Sequence, residues 1–362
     1  MKIRNQGGFC VSVVVPEPPE EQVNDCVDII PPMIFREWLR KTSPIDLYNQ
    51  LCSHVYSQDA EMKKAAVMLH GFITAMARSN FDTRFSLLIE GSSGSGKTSF
   101  AKALKKIMPC PVVVADASSL SPSGYKGMNI SDVFSASTSD KGDLAAWSHC
   151  FILVLDELDK LLKPAVSSDG NFHLECINNL LKVLDGDSII TKDGEVSCEK
   201  VFVIGLGAFS DLRKPVEADK CRSIGFCAET ASTAHKEPPA PISKEILTKY
   251  CQSEQFIGRF PVILHFQKLG RSAYEKLVEK EISELRSIYG YFSFPYERIR
   301  AIVNKAMTTE FGGRSIKAEV WNWFLESDFV FRQAEPEIIK GDEVDKVLEG
   351  MIPPHLKRMV SA

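Results

Sequence analysis

One stretch of eight residues combines glycines, hydroxyls and a lysine at a spacing that could bind phosphate. It fits the pattern G-x-x-x-x-G-K-[ST] and lies between an apolar run at 85–89 and a helical stretch at 99–107. In such a loop, backbone N–H groups converge on phosphate oxygens, Lys97 reaches the β- and γ-phosphates, and Thr98 ligates magnesium. A glycine-rich turn without a ligand is the alternative, which the flanking strand and helix disfavour. The predicted nucleotide contacts are Gly91, Ser92, Ser93, Gly94, Ser95, Gly96, Lys97, Thr98 and Ser99.

A pair of acidic residues forms a second candidate for chemistry. The apolar run Phe151–Leu155 ends in Asp156 and Glu157, so a buried strand would deliver both carboxylates at its C-terminal end. Asp156 is suited to hold magnesium through water, and Glu157 to orient and polarise an attacking water. A solvated strand terminus is the alternative for an isolated acidic pair, and the phosphate-binding loop upstream makes it the weaker one.

The elements that must position these groups follow from the apolar pattern. Four short apolar runs, at 85–89, 111–115, 151–155 and 201–205, are separated mostly by helical segments. Runs that are apolar on both faces are typical of buried parallel strands, so the sequence predicts an α/β fold with a parallel sheet. Apolar positions between 274 and 324 repeat with helical spacing, which predicts a second, small helical domain.

Shifts in composition predict the domain organisation. Residues 1–40 carry two proline clusters and form an N-terminal extension whose role the residues do not indicate. Residues 41–266 form the large domain, in which 213–245 are rich in Pro, Ser, Thr and Ala and make a long excursion. Residues 267–335 form the small helical domain, and 336–362 form a tail.

The composition excludes several classes of protein. The 362 residues are 44% hydrophobic and 25% charged, as in ordinary soluble proteins, and the formal net charge of −4 disfavours nucleic acid as a partner. The ten cysteines contain no C-x-x-C pair, so we expect neither a zinc module nor a disulfide framework, and a cytoplasmic location fits best. No stretch approaches the roughly 18 apolar residues of a membrane span, so no membrane association is expected.

Further motifs carry a resemblance to one family, the AAA+ ATPases, and within it to the ClpX unfoldases, from about Leu51 to Arg332. Asp156-Glu-Leu-Asp-Lys160 is similar to the family's Walker B sequence, Gln255-Phe-Ile-Gly-Arg-Phe-Pro261 to its arginine-finger box, and Phe311-Gly-Gly-Arg-Ser-Ile316 to its sensor-2 motif. The resemblance implies three catalytic residues. They are Glu157, Arg259, which would reach the γ-phosphate on a neighbouring subunit, and Arg314, which would reach the nucleotide from the small domain.

The same resemblance implies the fold, the ligands and the assembly. Leu51–Gln58 looks like the family's adenine-contacting segment, with Val55 and Tyr56 as the base contacts and Ser57 in place of the usual glycine. The implied fold is an AAA+ P-loop NTPase large domain with a small α-helical lid domain. The implied cofactors are ATP and Mg²⁺, and the implied assembly is a ring of identical subunits, a hexamer in the family.

Two segments resemble parts of ClpX that act on proteins. One looks like the axial pore loop, with a lysine where an aliphatic residue is usual, and the other like the loop that docks on the ClpP peptidase. The resemblance therefore implies protein substrates and a ClpP-like peptidase as partners. The residues concerned are Gly124, Tyr125, Lys126 and Gly127 in the pore loop, and Ile224, Gly225 and Phe226 in the docking loop.

The chain also departs from that family, which leaves other functions open. It lacks the N-terminal cysteine-rich zinc-binding module, its 163–181 region is shorter than the second pore loop, and Thr191-Lys-Asp-Gly194 stands where ClpX has a charged pore-entrance loop. One alternative is a protease-independent remodeller of a specific protein complex. A DNA-associated P-loop ATPase is disfavoured by the acidic net charge, and a non-hydrolysing scaffold by the presence of Glu157 and Arg259.

Overall fold

The computed structural model describes residues 30–122, 127–135, 141, 144–163, 166–167, 170–192, 194–213, 242–251, 253–290, 292–309 and 312–334. The chain divides into two compact units, Met1–Ala273 and Tyr274–Ala362.

A parallel sheet lies at the centre of the first unit. The strands of this unit are β1 (Phe85–Gly91), β2 (Val112–Asp116), β3 (Phe151–Asp156), β4 (Val166–Ser167), β5 (Gly170–Asn171), β6 (Ser188–Thr191), β7 (Gly194–Ser197), β8 (Val201–Gly207) and β9 (Val262–Phe266). Five of them form the sheet in the order β2-β3-β8-β1-β9, and every neighbouring pair is parallel. The short pairs β4–β5 and β6–β7 are antiparallel.

Helices connect and cover these strands, and helices alone form the described part of the second unit. In chain order they are α1 (Ile30–Lys41), α2 (Pro44–His54), α3 (Asp59–Ala77), α4 (Lys97–Ile107), α5 (Ile130–Ser135), α6 (Leu158–Leu161), α7 (Phe172–Asp185), α8 (Ser210–Arg213), α9 (Lys244–Tyr250), α10 (Glu254–Gly258), α11 (Arg271–Tyr289), α12 (Tyr296–Thr308) and α13 (Arg314–Ala334). No helix in the described ranges has the length and hydropathy needed to cross a membrane.

The sheet is covered on both faces, as the apolar runs predicted. Ile152 and Val154 of β3 belong to one core cluster with Phe72 of α3 and with residues of α4. Leu153 and Leu155 point to the other face and join a second cluster with residues of α6 and α7. Because side chains alternate along a strand, two buried faces require the continuous apolar runs seen in the sequence.

The predicted α/β fold is confirmed, and its parallel sheet has one strand more than the pattern indicated. The four predicted runs are β1, β2, β3 and β8. The fifth strand, β9, lies at the edge of the sheet beside β1, and its residues Val262, Ile263 and His265 are only half-buried. A half-buried edge strand with a polar residue lacks the continuous apolar signature.

The second unit is helical, as predicted from the spacing of its apolar residues. In α11, Val278, Ile282 and Leu285 are buried, at helical spacing on one face. The ring of Tyr289 contacts that of Phe324 in α13, with 4.8 Å between centroids. Other buried hydrophobic positions of this unit are Tyr274 of α11, Phe294 before α12, Ile302, Val303 and Ala306 of α12, and Ile316, Val320 and Phe324 of α13.

Candidate functional site

The predicted phosphate-binding loop joins the C-terminal end of β1 to the N-terminal end of α4. Gly96 caps that helix with a φ of 103°, a conformation that side chains disfavour. A Cβ on Gly91 would lie 2.5 Å from the carbonyl oxygen of Phe266 in β9 and 2.7 Å from Ser95 Oγ, so only glycine permits this close approach. The first turn of α4 carries no acidic side chain, and its N–H groups therefore favour an anion.

The polar atoms of the loop fit a polyphosphate. Lys97 Nζ donates hydrogen bonds to the carbonyl oxygens of Gly91 (2.7 Å) and Ser92 (3.0 Å), so the ammonium group lies over the loop. The hydroxyls of Ser92 and Ser95 are buried without a hydrogen-bond partner in the described part of the chain. Buried polar groups without partners are costly, and phosphate oxygens would satisfy both. Thr98 is exposed in the first turn of the helix.

The two predicted carboxylates lie at the edge of the sheet that carries this loop. β3 ends at Asp156, and β8 separates β3 from β1. Because the three strands are parallel, their carboxyl ends meet at one edge, where ligands bind in open α/β sheets. The Glu157 N–H donates to Asp156 Oδ1 at 2.9 Å. Glu157 has a φ of 56°, which is uncommon for a residue other than glycine.

The carboxylate of Glu157 is engaged by a neighbour in its own motif. Lys160 Nζ donates a hydrogen bond to Glu157 Oε2, and this bond raises the pKa of the Lys160 ammonium group. Both side chains are about half-exposed, at 56% and 43%, so water competes for the same atoms. Before Glu157 can polarise a water through Oε2, its hydrogen bond with Lys160 must break and a bond with that water must form.

A third acidic residue of the motif has a role that sequence reasoning missed. Asp159 is only 7% exposed, and its carboxylate accepts hydrogen bonds from the backbone N–H groups of Ala208 (3.1 Å) and Phe209 (3.2 Å). These two residues directly follow β8. Asp159 therefore joins the helix after the acidic pair to the end of the neighbouring strand. The acidic run Asp-Glu-Leu-Asp is visible in the sequence, but its partners are not.

The predicted base-contacting segment lies beside the phosphate-binding loop. Val55 ends α2 as its C-cap and is buried, and Tyr56 is half-buried. A Cβ on Gly96 would lie 3.6 Å from Val55 Cγ1, which places Val55 next to the loop. Ser57 has a φ of 59°, in the left-handed region that glycine adopts most easily. The structure thus gives the physical reason why a glycine is usual at this position.

Gln58, which the sequence did not single out, connects three segments of the site. Its side chain is buried, and Nε2 donates to the carbonyl oxygens of Ser95 (3.1 Å) and Gln267 (2.8 Å). Its Oε1 accepts from the N–H of Gln267 at 3.0 Å. The start of α3, the phosphate-binding loop and the segment after β9 are therefore held together by one amide.

The two predicted catalytic arginines lie in different units of the chain. Arg259 follows α10 in the first unit, and its guanidinium group pairs with the carboxylate of Asp185 at the end of α7. Arg314 is the first residue of α13 in the second unit. The first unit therefore brings together the phosphate-binding loop and the acidic pair, and the roles of Arg259 and Arg314 stay predictions.

The predicted pore and docking loops fall largely outside the described residues. This holds for Gly124, Tyr125 and Lys126 and for Ile224, Gly225 and Phe226. The base of the pore segment is described: Ser121 N–H donates to the carbonyl of Met128 at 2.9 Å, and Leu120 and Met128 form a β-bridge. Gly127, at this base, has a φ of 147°.

Comparisons with known proteins agree with this site. Residues 87–223 match the family model described as "ATPase family associated with various cellular activities (AAA)". The match begins in β1 and includes the phosphate-binding loop and the acidic pair.

Curated relatives carry ClpX names. The ATP-dependent Clp protease ATP-binding subunit ClpX 2 of Wolinella succinogenes is 27% identical over 64% of this chain and 62% of its own length, less than two thirds. The ClpX subunit of Treponema denticola is 24% identical over 83% of this chain and 78% of its own length. The ClpX subunit of Borrelia duttonii is 26% identical over 84% of this chain and 77% of its own length.

The parallel sheet and the loop between β1 and α4 define a P-loop nucleoside triphosphatase fold. Together with the family match over residues 87–223 and the relatives at 24 to 27% identity, they support a ClpX-like AAA+ ATPase.

Proposed function

We propose that this chain is an ATP-dependent protein unfoldase that assembles into a ring and threads protein substrates through its pore. The observation that carries the proposal is the position of the phosphate-binding loop and the Asp156–Glu157 pair at one edge of the sheet. The loop fits a polyphosphate because Ser92 and Ser95 contribute buried hydroxyls without partners in the described residues. The ClpX names of its relatives support protein unfolding as the work that ATP drives.

The hydrolytic roles follow from the positions of the side chains. The backbone of 91–98 holds the phosphates, and Lys97 contacts the β- and γ-phosphates. Mg²⁺, when bound with ATP, neutralises phosphate charge, and Thr98 and Asp156 are the residues that would hold it. Glu157 orients and polarises the attacking water once Lys160 has left its carboxylate.

Further residues complete the nucleotide site in this proposal. Val55, which lies beside Gly96, and Tyr56 contact the adenine. Arg314 contacts the nucleotide from the small domain, so that hydrolysis changes the relation between the two domains. Arg259 acts on the nucleotide of the neighbouring subunit, where an arginine finger contributes roughly 10³ to 10⁵ in rate. Hydrolysis would then depend on ring assembly.

The mechanical part of the proposal rests on Tyr125, in the segment that resembles a pore loop. Fully burying an aromatic side chain against a substrate contributes about 1.5 to 3 kcal/mol, whereas a folded substrate domain is stable by about 5 to 15 kcal/mol. One tyrosine cannot unfold a domain in a single step. Several subunits and repeated strokes are required, which is why a ring is part of the proposal.

The proposed partner is a ClpP-like peptidase that receives the unfolded chain. The supporting feature is the tripeptide Ile224-Gly-Phe226 within a long Pro- and Ser-rich segment. An apolar pocket on a peptidase would bury the isoleucine and phenylalanine side chains, and such buried anchors contribute roughly 2 kcal/mol or more each.

Two measurements test the motor. We expect ATP hydrolysis by the assembled protein, and loss of hydrolysis with retained ATP binding in Glu157→Gln, because the amide cannot act as a base. We also expect Tyr125→Ala to slow ATP-driven unfolding of a fluorescent reporter at least tenfold while ATPase activity remains, with Tyr125→Phe as the matched control. A Tyr125→Ala ring that unfolds the reporter at the parental rate would contradict the threading role.

A third measurement separates peptidase delivery from remodelling without proteolysis. Addition of a ClpP-type peptidase should stimulate ATP-dependent degradation of an unfolded protein such as casein. Phe226→Ala should abolish this stimulation and leave ATPase activity unchanged, because the side chain is proposed to contact only the peptidase. If Phe226→Ala and the parent behave alike with the peptidase, the remodeller is the correct function.

A further inference from the structure

The side chain of Arg259 is held in a bidentate ion pair within its own chain. Its Nε and Nη2 donate to the two carboxylate oxygens of Asp185, the second at 3.0 Å from Nη2 to Oδ2. Asp185 is the last residue of α7, and Arg259 directly follows α10. The two residues are far apart in sequence, so the fold rather than local geometry brings them together.

The backbone of each partner is tied to the start of β1. Arg84 Nε donates to the carbonyl of Asp185 at 3.0 Å, and Arg84 Nη1 donates to the carbonyl of Phe81 at 2.5 Å. Ser86 Oγ donates to the carbonyl of Arg259 at 2.5 Å. Arg84, just before β1, and Ser86, within it, therefore hold both carbonyl groups, and the ion pair orients only the guanidinium group.

The way in which Asp185 binds leaves one edge of the guanidinium group for another ligand. A guanidinium carries five N–H donors, and the carboxylate uses those on the Nε and Nη2 side. No described residue accepts a hydrogen bond from Nη1. The side chain of Arg259 is 44% exposed, so the edge formed by Nη1 and Nη2 is accessible to an anion from outside the chain.

We propose that Asp185 is a positioning residue for Arg259: it holds the guanidinium by one edge and presents the other edge to the γ-phosphate in the neighbouring subunit. This inference rests on the proposed function, in which Arg259 acts in trans. Bidentate pairing restricts the rotation of a long side chain. The planar guanidinium group can donate paired hydrogen bonds to a carboxylate or to a phosphate. Exposed ion pairs contribute little to folding stability, so orientation is what the pair provides.

Mixed rings test the inference, because they separate the subunit that supplies the finger from the subunit that hydrolyses ATP. Glu157→Gln subunits retain Arg259 but cannot hydrolyse, and Arg259→Ala subunits can hydrolyse only with a finger from a neighbour. Each variant alone should be inactive, and their mixture should regain ATPase activity. Asp185→Asn added to the Glu157→Gln subunit should lower kcat of the mixture by roughly 10- to 100-fold, as misplacement of a reacting group does.

The same substitution in the other subunit is the internal control. Asp185→Asn in the Arg259→Ala subunit should leave the ATPase activity of the mixture unchanged, because that subunit has no arginine finger to position. Asp187→Asn, an exposed residue two positions later, should have no effect in either subunit, and Asp185→Glu should recover part of the activity. Thermal unfolding of all variants should coincide within about 1 °C, since only an exposed pair is changed.

The possible failures are distinguishable. An inactive mixture of the two parent variants would overturn the trans role of Arg259, and the inference with it. If the mixture is active, the trans role of Arg259 stands. The inference about Asp185 would still be overturned if Asp185→Asn lowered the ATPase activity equally from either subunit, or from neither.

Discussion

The side-chain amide of Gln58 bridges Ser95 of the phosphate-binding loop and Gln267 after β9, with donor–acceptor distances of 2.8 to 3.1 Å. Both N–H donors and the carbonyl oxygen of this buried amide are engaged. A fully satisfied buried amide fixes the segments it joins, because separating them would leave buried polar groups unpaired. The position of the loop relative to the edge strand therefore depends on one residue in the segment before α3.

We predict that Gln58→Ala lowers the free energy of unfolding by roughly 1 to 3 kcal/mol, because backbone groups at Ser95 and Gln267 lose their partners. The affinity for ATP should fall as well, since the loop loses its anchor. Denaturant unfolding and titration with a fluorescent ATP analogue measure the two effects. Gln50→Ala, at an exposed position of α2, is the control. Equal ATP affinities of the Gln58 and Gln50 variants would contradict the anchoring role.

Ser57→Gly should stabilise the protein by roughly 0.5 to 1 kcal/mol, because Ser57 has a φ of 59° and glycine adopts this conformation with less strain. Chemical denaturation measures the change. The control is Gln50→Gly, at an exposed position inside α2, which should destabilise by a similar amount because glycine weakens a helix interior. A loss of stability in Ser57→Gly would show that the hydroxyl makes a contact worth more than the strain.

Much of the sheet could be predicted from the sequence because its strands are buried on two faces. The run predicted at 85–89 is β1, Phe85–Gly91, and the run at 151–155 is β3, Phe151–Asp156. Full burial favours apolar residues at nearly every position, with Ser86 and Glu90 of β1 as exceptions, and this signal is local. β9 was missed since an edge strand buries only part of its surface, and it carries His265, which pairs with Glu90 of β1 at 2.8 Å.

The motif residues were predictable, but the polar contacts that support them were not. The phosphate-binding loop and Asp156–Glu157 have fixed local spacings. The partners of Gln58 lie 37 and 209 positions away, those of Asp159 lie 49 and 50 positions away, and Arg259 lies 74 positions from Asp185. No periodicity in one sequence indicates such pairs, because they arise only when the sheet order places distant segments side by side.

Gly91→Ala should destabilise the protein by roughly 1 to 3 kcal/mol, because the added Cβ would overlap the Phe266 carbonyl at 2.5 Å. Backbone cannot rotate away as a flexible side chain can, so the loop must shift and ATP binding should weaken. Gly71→Ala in α3 is the matched control: its Cβ would lie 3.7 Å from Phe85, an ordinary contact. That control should gain roughly 0.5 to 1 kcal/mol. Similar unfolding midpoints for both variants would contradict the crowding at Gly91.

Three buried thiols should resist alkylation in the folded protein. Burial raises the pKa of Cys150, Cys198 and Cys251 to about 12, and each is at most 7% exposed. Since the ordinary value is 9.0, the thiolate fraction at a given pH falls roughly 10³-fold. Mass spectrometry after iodoacetamide treatment at pH 8 should find these peptides unlabelled until denaturant is added. Cys52, which is half-buried, should label sooner, and labelling of Cys150 at the rate of Cys52 would contradict the burial.

Glu281 of α11 should reduce stability at neutral pH. Burial, and secondarily the charge of Glu284, raises the pKa of its carboxyl group, and Oε2 has no hydrogen-bond partner in the described residues. A carboxyl whose pKa is higher when folded binds more protons in the folded state, so its contribution to stability is lost as pH rises through the folded pKa. Glu281→Gln removes the buried charge and should stabilise by about 1 kcal/mol at pH 8.

The gain from Glu281→Gln should shrink toward pH 4, where the parental carboxyl becomes protonated in both the folded and unfolded states. Thermal unfolding midpoints measured at both pH values test this difference. Glu279→Gln, at an exposed position of the same helix, is the control. It should shift the unfolding midpoint at either pH by much less than Glu281→Gln shifts it at pH 8. A Glu281→Gln effect that is the same at pH 4 and pH 8 would show that packing, rather than the buried charge, determines the change.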